Sequence, residues 1–433
     1  MKKLCLLLLC ALSKPVFAQT NTLKAEAARK ADSLENQVVT WRRDFHEHPE
    51  LGNHEFRTAA IIAKQLQSLG LEVKTGIATT GVVGILRGGK PGPVVALRSE
   101  MDALPVTERT PVAFASTVKS TYMDQTVGVM HACGHDSHMA MLMAVAEILT
   151  SMKSELHGTV KFIFQPAEEG LPPGEVGGAE EMVREGVLEN PKVDVIFGQH
   201  IISYIPTGTL VYRPGGEMAG VNGFHIVVKG KSSHGAMPWM GVDPIVISAQ
   251  IINNLQTIVS RDINITQNPA VVTIGAIKGG NRGNIIPDSV EMDGTLRSFT
   301  DADKKLLWDK VNEIATKTAE MQGATAKVTL GNDYPVTYND PELAAQMGPT
   351  LQQTAGAANV SIGPPVTGAE DFSFYQKKVP GLFFFLGGMP KGGDPKTTPA
   401  NHSQDFFIDE SGFALGVKAL CNLTLDYMSA HSK

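Results

Sequence analysis

The sequence predicts an α/β protein in which a mostly parallel sheet domain is interrupted by a smaller α+β domain. Three observations carry that expectation. Continuous apolar runs of buried-strand type (residues 94–98, 159–164 and 193–197) alternate with helical segments, the pattern of a parallel sheet covered on both faces. Between about residues 215 and 331 the order changes to β-α-β-β-α-β, that of a ferredoxin-like unit. Carboxylates collect at the carboxyl ends of the first set of strands, where open α/β sheets build their sites, and the second set lacks them.

Taken in order, the chain opens with Lys2 and Lys3, an apolar run over residues 4–12, and Val16-Phe17-Ala18 before Gln19. This reads as a secretory signal peptide cleaved after about Ala18, so a secreted or periplasmic protein is expected. The apolar run is shorter than the ~20 residues of a membrane span, and no second segment is long enough for one. A 433-residue chain with 42% hydrophobic residues and a formal net charge of −6 is globular and too large for one core. It is not basic enough to point to nucleic acid. The expected divisions are a signal peptide (1–18), a first catalytic part (19–214), an inserted domain (215–331) and a second catalytic part (332–433).

Residues 22–70 read as two helices around a turn marked by Pro49 and Gly52. His46, His48 and His54 flank that turn, and a structural or substrate-rim role is expected of them rather than metal binding. The strand at 94–98 delivers Ser99-Glu-Met-Asp102, where Glu100 and Asp102 share a face. Next comes His131-Ala-Cys-Gly-His-Asp-Ser-His138, opening into an apolar helix. One glycine separates Cys133 from His135, so both side chains can reach one point. Thiolate and imidazole are zinc-type ligands, though a buried small cysteine among helix-capping histidines has the same local pattern. The strand at 159–164 delivers Glu168 and Glu169, that at 193–197 delivers His200, and a glycine-rich loop late in the chain delivers His402.

Outside the leader, Cys133 and Cys421 are the chain's two cysteines. A thiol in an oxidising compartment persists readily as a metal ligand; a Cys133–Cys421 disulfide is the alternative. Cys133, His135, Glu169, His200 and His402 make five N, S and O donors, more than the four of one closed zinc site. They suit two divalent ions (zinc, manganese, cobalt or nickel) with open positions for water and substrate. Glu168, beside a ligand, is placed to move protons as general base and then acid. Asp102 is the expected orienter of a ligating imidazole, His234 the donor to an oxyanion, and Arg297 with Asn284 the holders of a substrate carboxylate.

Taken together, these motifs resemble the aminoacylase/carboxypeptidase family of metallohydrolases, in its hippurate-hydrolase, N-acyl-amino-acid amidohydrolase and auxin-conjugate-hydrolase branch. The resemblance rests on Ser99-Glu-Met-Asp-Ala-Leu-Pro105, His131-Ala-Cys-Gly-His-Asp136, Gln165-Pro-Ala-Glu-Glu-Gly170, Gly198-Gln-His200, Ser233-His-Gly-Ala-Met-Pro238, Gly283-Asn-Ile-Ile-Pro287, Gly294-Thr-Leu-Arg297 and Thr367-Gly-Ala-Glu-Asp-Phe372, in family order. It implies a zinc-peptidase-like catalytic domain, a lid domain that makes a homodimer, and hydrolysis of N-acyl-amino-acid amide bonds. It carries the family's ligands onto the same five residues, its catalytic carboxylate onto Glu168, and its lid histidine onto His234. Glu100 stands where the wider family has a ligand histidine, which leaves its role open. A dipeptidase or aminopeptidase of the same chemistry is the neighbouring reading, and a non-catalytic binding relative the more distant one.

Overall fold

The structure, a computed structural model, describes residues 2–172 and 174–432, with side chains from 19 onward except 332 and 333. The leader reading falls on Met1 and on the side chains up to 18, which lie outside the described residues. No described helix is long and apolar enough to cross a membrane. The chain forms two compact units. One comprises Met1–Gly215, Asn339–Gly363 and Phe374–Lys433, the other Gly216–Tyr338 and Pro364–Ser373.

The first unit is built on an eight-stranded mixed sheet. Its strands run in the order Glu72–Ile77, Gly81–Arg87, His157–Gln165, Lys90–Glu100, Val195–Pro206, Gly381–Met389, Leu210–Tyr212 and Val360–Ile362. The four central strands are mutually parallel, with antiparallel neighbours toward the edges. Parallel pairing makes the central strands end at one side of the sheet. Glu100 is level with Gln165, and Arg98 pairs with Gly198, two residues before His200. The segments bearing Glu100, Gln165 and His200 are therefore delivered to one place, although His200 lies within its strand, which runs on to Pro206, and not at the strand end expected.

Three helices, Lys2–Glu47, His135–Ser151 and Phe413–Ala430, pack on one another in this unit. Ala27, Ala31, Val38 and Phe45 give the first helix a buried stripe at helical spacing. The second is apolar on all sides, with Met139 to Ala146 all inaccessible to solvent, as a helix enclosed by its neighbours must be. Its first turn is anchored by charge. Arg42 Nε lies 2.8 Å and His46 Nδ1 2.7 Å from the buried carboxylate of Asp136, and His46 Nε2 lies 3.1 Å from Glu108. Burial disfavours the charged imidazole, but Asp136 and Glu108 outweigh it and raise the His46 pKa. His46 thus has a structural place, while His48 and His54 are exposed.

The second unit has a four-stranded antiparallel sheet in the order Val271–Lys278, Ser289–Ser298, Gly220–Lys229, Thr325–Tyr334. Helices Pro244–Thr257 and Asp301–Glu320 complete it. Burial alternates along Gly220–Lys229, so one face of the sheet is covered. Both helices start as their sequences require. Asp243 accepts from the backbone N–H of Ile245 ahead of Pro244, and Thr300 accepts from that of Asp303. The unit differs in extent from the expected insert, residues 215–331. Its last strand continues to Tyr334, and the Ala219 N–H bonds to the carbonyls of Val366 and Gly368, which brings the Thr367–Phe372 motif into it. Cys133 and Cys421 are both buried and free, so the disulfide alternative is not formed.

Candidate metal centre

Gly134 sets the geometry from which the centre is built. Its φ of +92° is open to glycine, and a Cβ there would lie 2.5 Å from Ile201 Cγ2. The tight turn sends Cys133 and His135 to the same point. His135 directs Nδ1 at the Asp102 carbonyl, 2.9 Å away, with Asp102 Oδ1 at 3.3 Å. That leaves Nε2 facing Glu168 and Glu169 at 3.9 and 4.0 Å, buried and without a hydrogen-bond partner. The other oxygen of Asp102 accepts the Glu169 N–H at 2.9 Å. Asp102 therefore holds two candidate ligands at once.

His200 donates through Nδ1 to the Ile201 carbonyl at 2.8 Å, which leaves the Nε2 lone pair 3.2 Å from Cys133 Sγ. His402 Nε2 lies 3.2 Å from the same sulfur and 3.1 Å from Glu169 Oε1. Donors from Cys133, His135 and His200 lie within 4.8 Å of one another, as do those from Cys133, Glu169 and His402. The structure thus brings all five expected donors together in the first unit, with the cysteine common to both triads and Glu168 alongside.

These residues fit divalent cations. His135 Nε2 and Glu169 Oε1 are buried acceptors with no hydrogen-bond partner. The electrostatics point the same way. Burial pushes the Cys133 thiol well up, and Glu169 and Glu168 push it further. Burial alone would lower the His135 pKa, yet Asp102, Glu100 and Glu169 raise it to about 10. A pocket this rich in negative charge needs a cation to hold a thiolate and a neutral imidazole together. Burial and His138 keep His200 neutral, the form that binds metal.

Sequence reasoning missed three supports. Glu100 is ion-paired to buried Arg98 and accepts from His138 Nδ1 at 2.8 Å, and His138 Nε2 accepts the Ile201 N–H at 2.8 Å. Since the Ile201 carbonyl takes the His200 proton, this buried chain fixes the tautomer of a candidate ligand. It also gives Glu100 a place: both nitrogens of His138 are engaged, so the Glu100, His135 and His138 trio offers a metal less than the other two. The third is Glu55, which accepts the Ala167 N–H at 2.9 Å and the Thr80 hydroxyl at 2.5 Å. Ala167 has a φ of +53°, uncommon for a residue with a Cβ, immediately before Glu168. The sequence signal available was Glu55 itself, a carboxylate at the start of an amphipathic helix.

In the second unit, His234 is exposed and its Nδ1 accepts the Ala236 N–H at 2.9 Å, which leaves the ring proton on Nε2. Asn284 is its neighbour, since Ile285 pairs with His234 and the Asn284 carbonyl accepts the Gly235 N–H. Arg297 is held against the Thr367 and Leu296 carbonyls at 3.2 and 3.0 Å.

A mixed α/β sheet with a Cys/His/Glu cluster beside its central strands, buried except at His402, defines a metal-dependent amidohydrolase. The chain belongs to peptidase family M20/M25/M40, whose pattern matches residues 96–426. It is similar to thermostable carboxypeptidase 2 of Saccharolobus solfataricus, at 41% identity over 91% of this chain and 96% of that protein. It is also similar to IAA-amino acid hydrolase ILR1-like 2 of Arabidopsis thaliana, at 36% identity over 92% and 87%. A solved structure of a dinuclear metal-binding peptidase of the M20 family from Bacillus subtilis superposes with a TM-score of 0.76 and 32% identity, covering 92% of this chain and 99% of that one.

Two outcomes are expected. Asp102→Ala removes both carboxylate contacts and should weaken metal binding by roughly 10- to 100-fold, read by competition with a chelator of known affinity. Unchanged affinity would take Asp102 out of that role. Burial, and then the charge of Asp102, raise the pKa of Glu55 from 4.5 to about 8. Between those values the folded state binds more protons than the unfolded chain, so stability should fall as pH rises from about 4.5 to about 8. The slope is up to about 1.4 kcal/mol per pH unit. Glu55→Gln should flatten that part of the urea-unfolding profile; a variant keeping the full slope would assign it elsewhere.

Proposed function

We propose that the chain hydrolyses the amide bond of N-acyl-L-amino acids, with Cys133, His135, Glu169, His200 and His402 holding two divalent ions and Glu168 moving the protons. The observation that carries this reading is the pair of triads sharing Cys133, with Glu168 beside them. Zinc, manganese, cobalt and nickel all match an N, S and O donor set of this kind. When bound, the ions supply Lewis acidity to the amide carbonyl and to the attacking water.

Glu168 takes a proton from that water as the C–O bond forms and returns it to the leaving nitrogen as the C–N bond breaks. His234, with its proton on Nε2, donates to the oxyanion, and Arg297 with Asn284 holds the carboxylate of the departing amino acid. The carboxypeptidase and IAA-amino acid hydrolase likenesses support a substrate ending in a free carboxylate beside the scissile amide. A dipeptidase would instead need a group that recognises a free α-amine. The presence of all five donors together with Glu168 disfavours a non-catalytic role.

Two further readings belong to the proposal. Lys2, Lys3, the apolar run and Ala18 support export to the periplasm or beyond. Exposed Met237, Trp239, Met240, Ile245 and Val246 on the second unit support a homodimer through that unit.

Purified protein, stripped with chelator and reloaded, is expected to cleave N-acetyl-, N-benzoyl- and indoleacetyl-amino acids in preference to unblocked dipeptides. Glu168→Ala should keep its metal and lose on the order of 10²- to 10⁴-fold in turnover. Cleavage of dipeptides alone would move the protein to the peptidase reading. His234→Ala should lower kcat by roughly 10²-fold or more with little change in KM. A raised KM at unchanged kcat would make His234 a ground-state binding residue instead.

A further inference from the structure

Glu55 occupies the N-cap position of helix Phe56–Ser68, yet its side chain does not cap it. That task falls to Glu50, whose two carboxylate oxygens accept the backbone N–H groups of Arg57 and Thr58 at 3.0 and 2.8 Å. The Glu55 side chain turns inward instead, fully buried, where it meets the Ala167 N–H at 2.9 Å and the Thr80 hydroxyl at 2.5 Å. Both partners lie in left-handed stretches of backbone. Thr80 follows Ala78 and Thr79, with φ of +48° and +81°, and Ala167 has φ of +53°. The segment carrying Ala167 is also closely backed. A Cβ at Gly52 would lie 3.1 Å from Ala167 Cβ, and one at Gly177 would lie 3.3 Å from it. A carboxyl group buried beside a helix that another residue caps is there for its inner contacts.

Those contacts meet the chain one residue before Glu168. A residue with a Cβ holds a left-handed φ where surrounding contacts dictate it, and the Glu55 carboxyl supplies such a contact through the Ala167 N–H. We propose, resting on the assignment of Glu168 as the proton carrier, that Glu55 is a positioning residue: by holding Ala167 in the left-handed conformation it keeps Glu168 aimed at the metal centre, without touching substrate or metal itself. The contacts of Glu55, and not its charge, then carry its effect on turnover. Burial, and then the charge of Asp102, hold its carboxyl up at about 8, so an amide is close to its neutral form. A glutamine keeps both contacts, its carbonyl accepting the Ala167 N–H and its amide nitrogen donating to Thr80 Oγ1; a methionine of similar size keeps neither. Glycine at position 167 adopts positive φ unaided, which uncouples Glu168 from Glu55.

The test compares kcat, KM and metal content of the metal-loaded protein and its variants on one N-acyl amino acid. Glu55→Met should lower kcat on the order of 10²-fold, as displacing a reacting group by about 1 Å does, with KM unchanged and the metal retained. Glu55→Gln should stay within about threefold of the unmodified protein, because both contacts survive. In an Ala167→Gly background the loss caused by Glu55→Met should shrink to about tenfold or less, a coupling that general destabilisation does not produce. Loss of metal, a raised KM at unchanged kcat, equal losses in the two Glu55 variants, or the same loss in both backgrounds overturns the proposal. Should Glu55→Met fail to fold, Thr80→Val removes one of the two contacts and should lower kcat about fivefold with metal retained. No change there overturns it as well. Should the unmodified protein cleave no N-acyl amino acid, the hydrolytic reading fails by itself, and the positioning is read by hydrogen exchange. Glu55→Met, and not Glu55→Gln, should then speed exchange of the Ala167 amide while the sheet stays protected. Unchanged exchange at Ala167 overturns the proposal.

Discussion

Asp102 stands at the junction on which the candidate centre depends. Its carbonyl and one carboxylate oxygen face His135 Nδ1, and its other oxygen accepts the Glu169 N–H. One residue thus fixes the tautomer of an imidazole and the backbone of a carboxylate arriving from a different strand. It can do so because parallel pairing brings the ends of Lys90–Glu100 and His157–Gln165 level. A register shift of one residue would turn the Asp102 side chain to the other face and separate the two donors.

Burying this much charge is costly, since an uncompensated ion in the interior destabilises by several kcal/mol. The first unit offsets it by pairing. Arg98 with Glu100 and His138, and Arg42 with Asp136, His46 and Glu108, surround the donors with charges that are themselves satisfied. His135 Nε2 and Glu169 Oε1 keep no hydrogen bond of their own, and neither do the two ring nitrogens of buried His131 or Asp102 Oδ1. Buried acceptors left without a hydrogen bond among the candidate ligands are expected of a site whose remaining partner is a cation.

How much of this could be read beforehand follows from how local each cause is. The strands, the capped helices and the ferredoxin-like order rest on runs, alternation and cap residues a few positions apart. The five donors were legible because each sits in a short polar motif, after a strand for Glu169, within one for His200, at a helix entrance for Cys133 and His135, and in a late loop for His402. The supports were not. Glu55 bonds to Ala167 across 112 positions, and His138 joins Glu100 and Ile201 across 38 and 63. No local pattern marks such pairs. The hairpin bearing Met123 and Asp124 also escaped notice, because its short polar strands depend on Leu51, Ala103 and Val129 beneath them.

Two strained backbone positions extend the same logic from structure to chemistry. Ala167 and His402 both have left-handed φ, +53° and +70°, though neither is glycine. Such conformations cost of order 1–3 kcal/mol each and persist where surrounding contacts dictate them. Glu55 holds the first through the Ala167 N–H, and the Ala132 carbonyl holds the second through the His402 N–H at 2.8 Å. Each strained residue is, or immediately precedes, a group assigned to the centre. Two of the chain's left-handed non-glycine positions therefore lie at the loops that carry Glu168 and His402 to the centre, with His402 remaining half exposed.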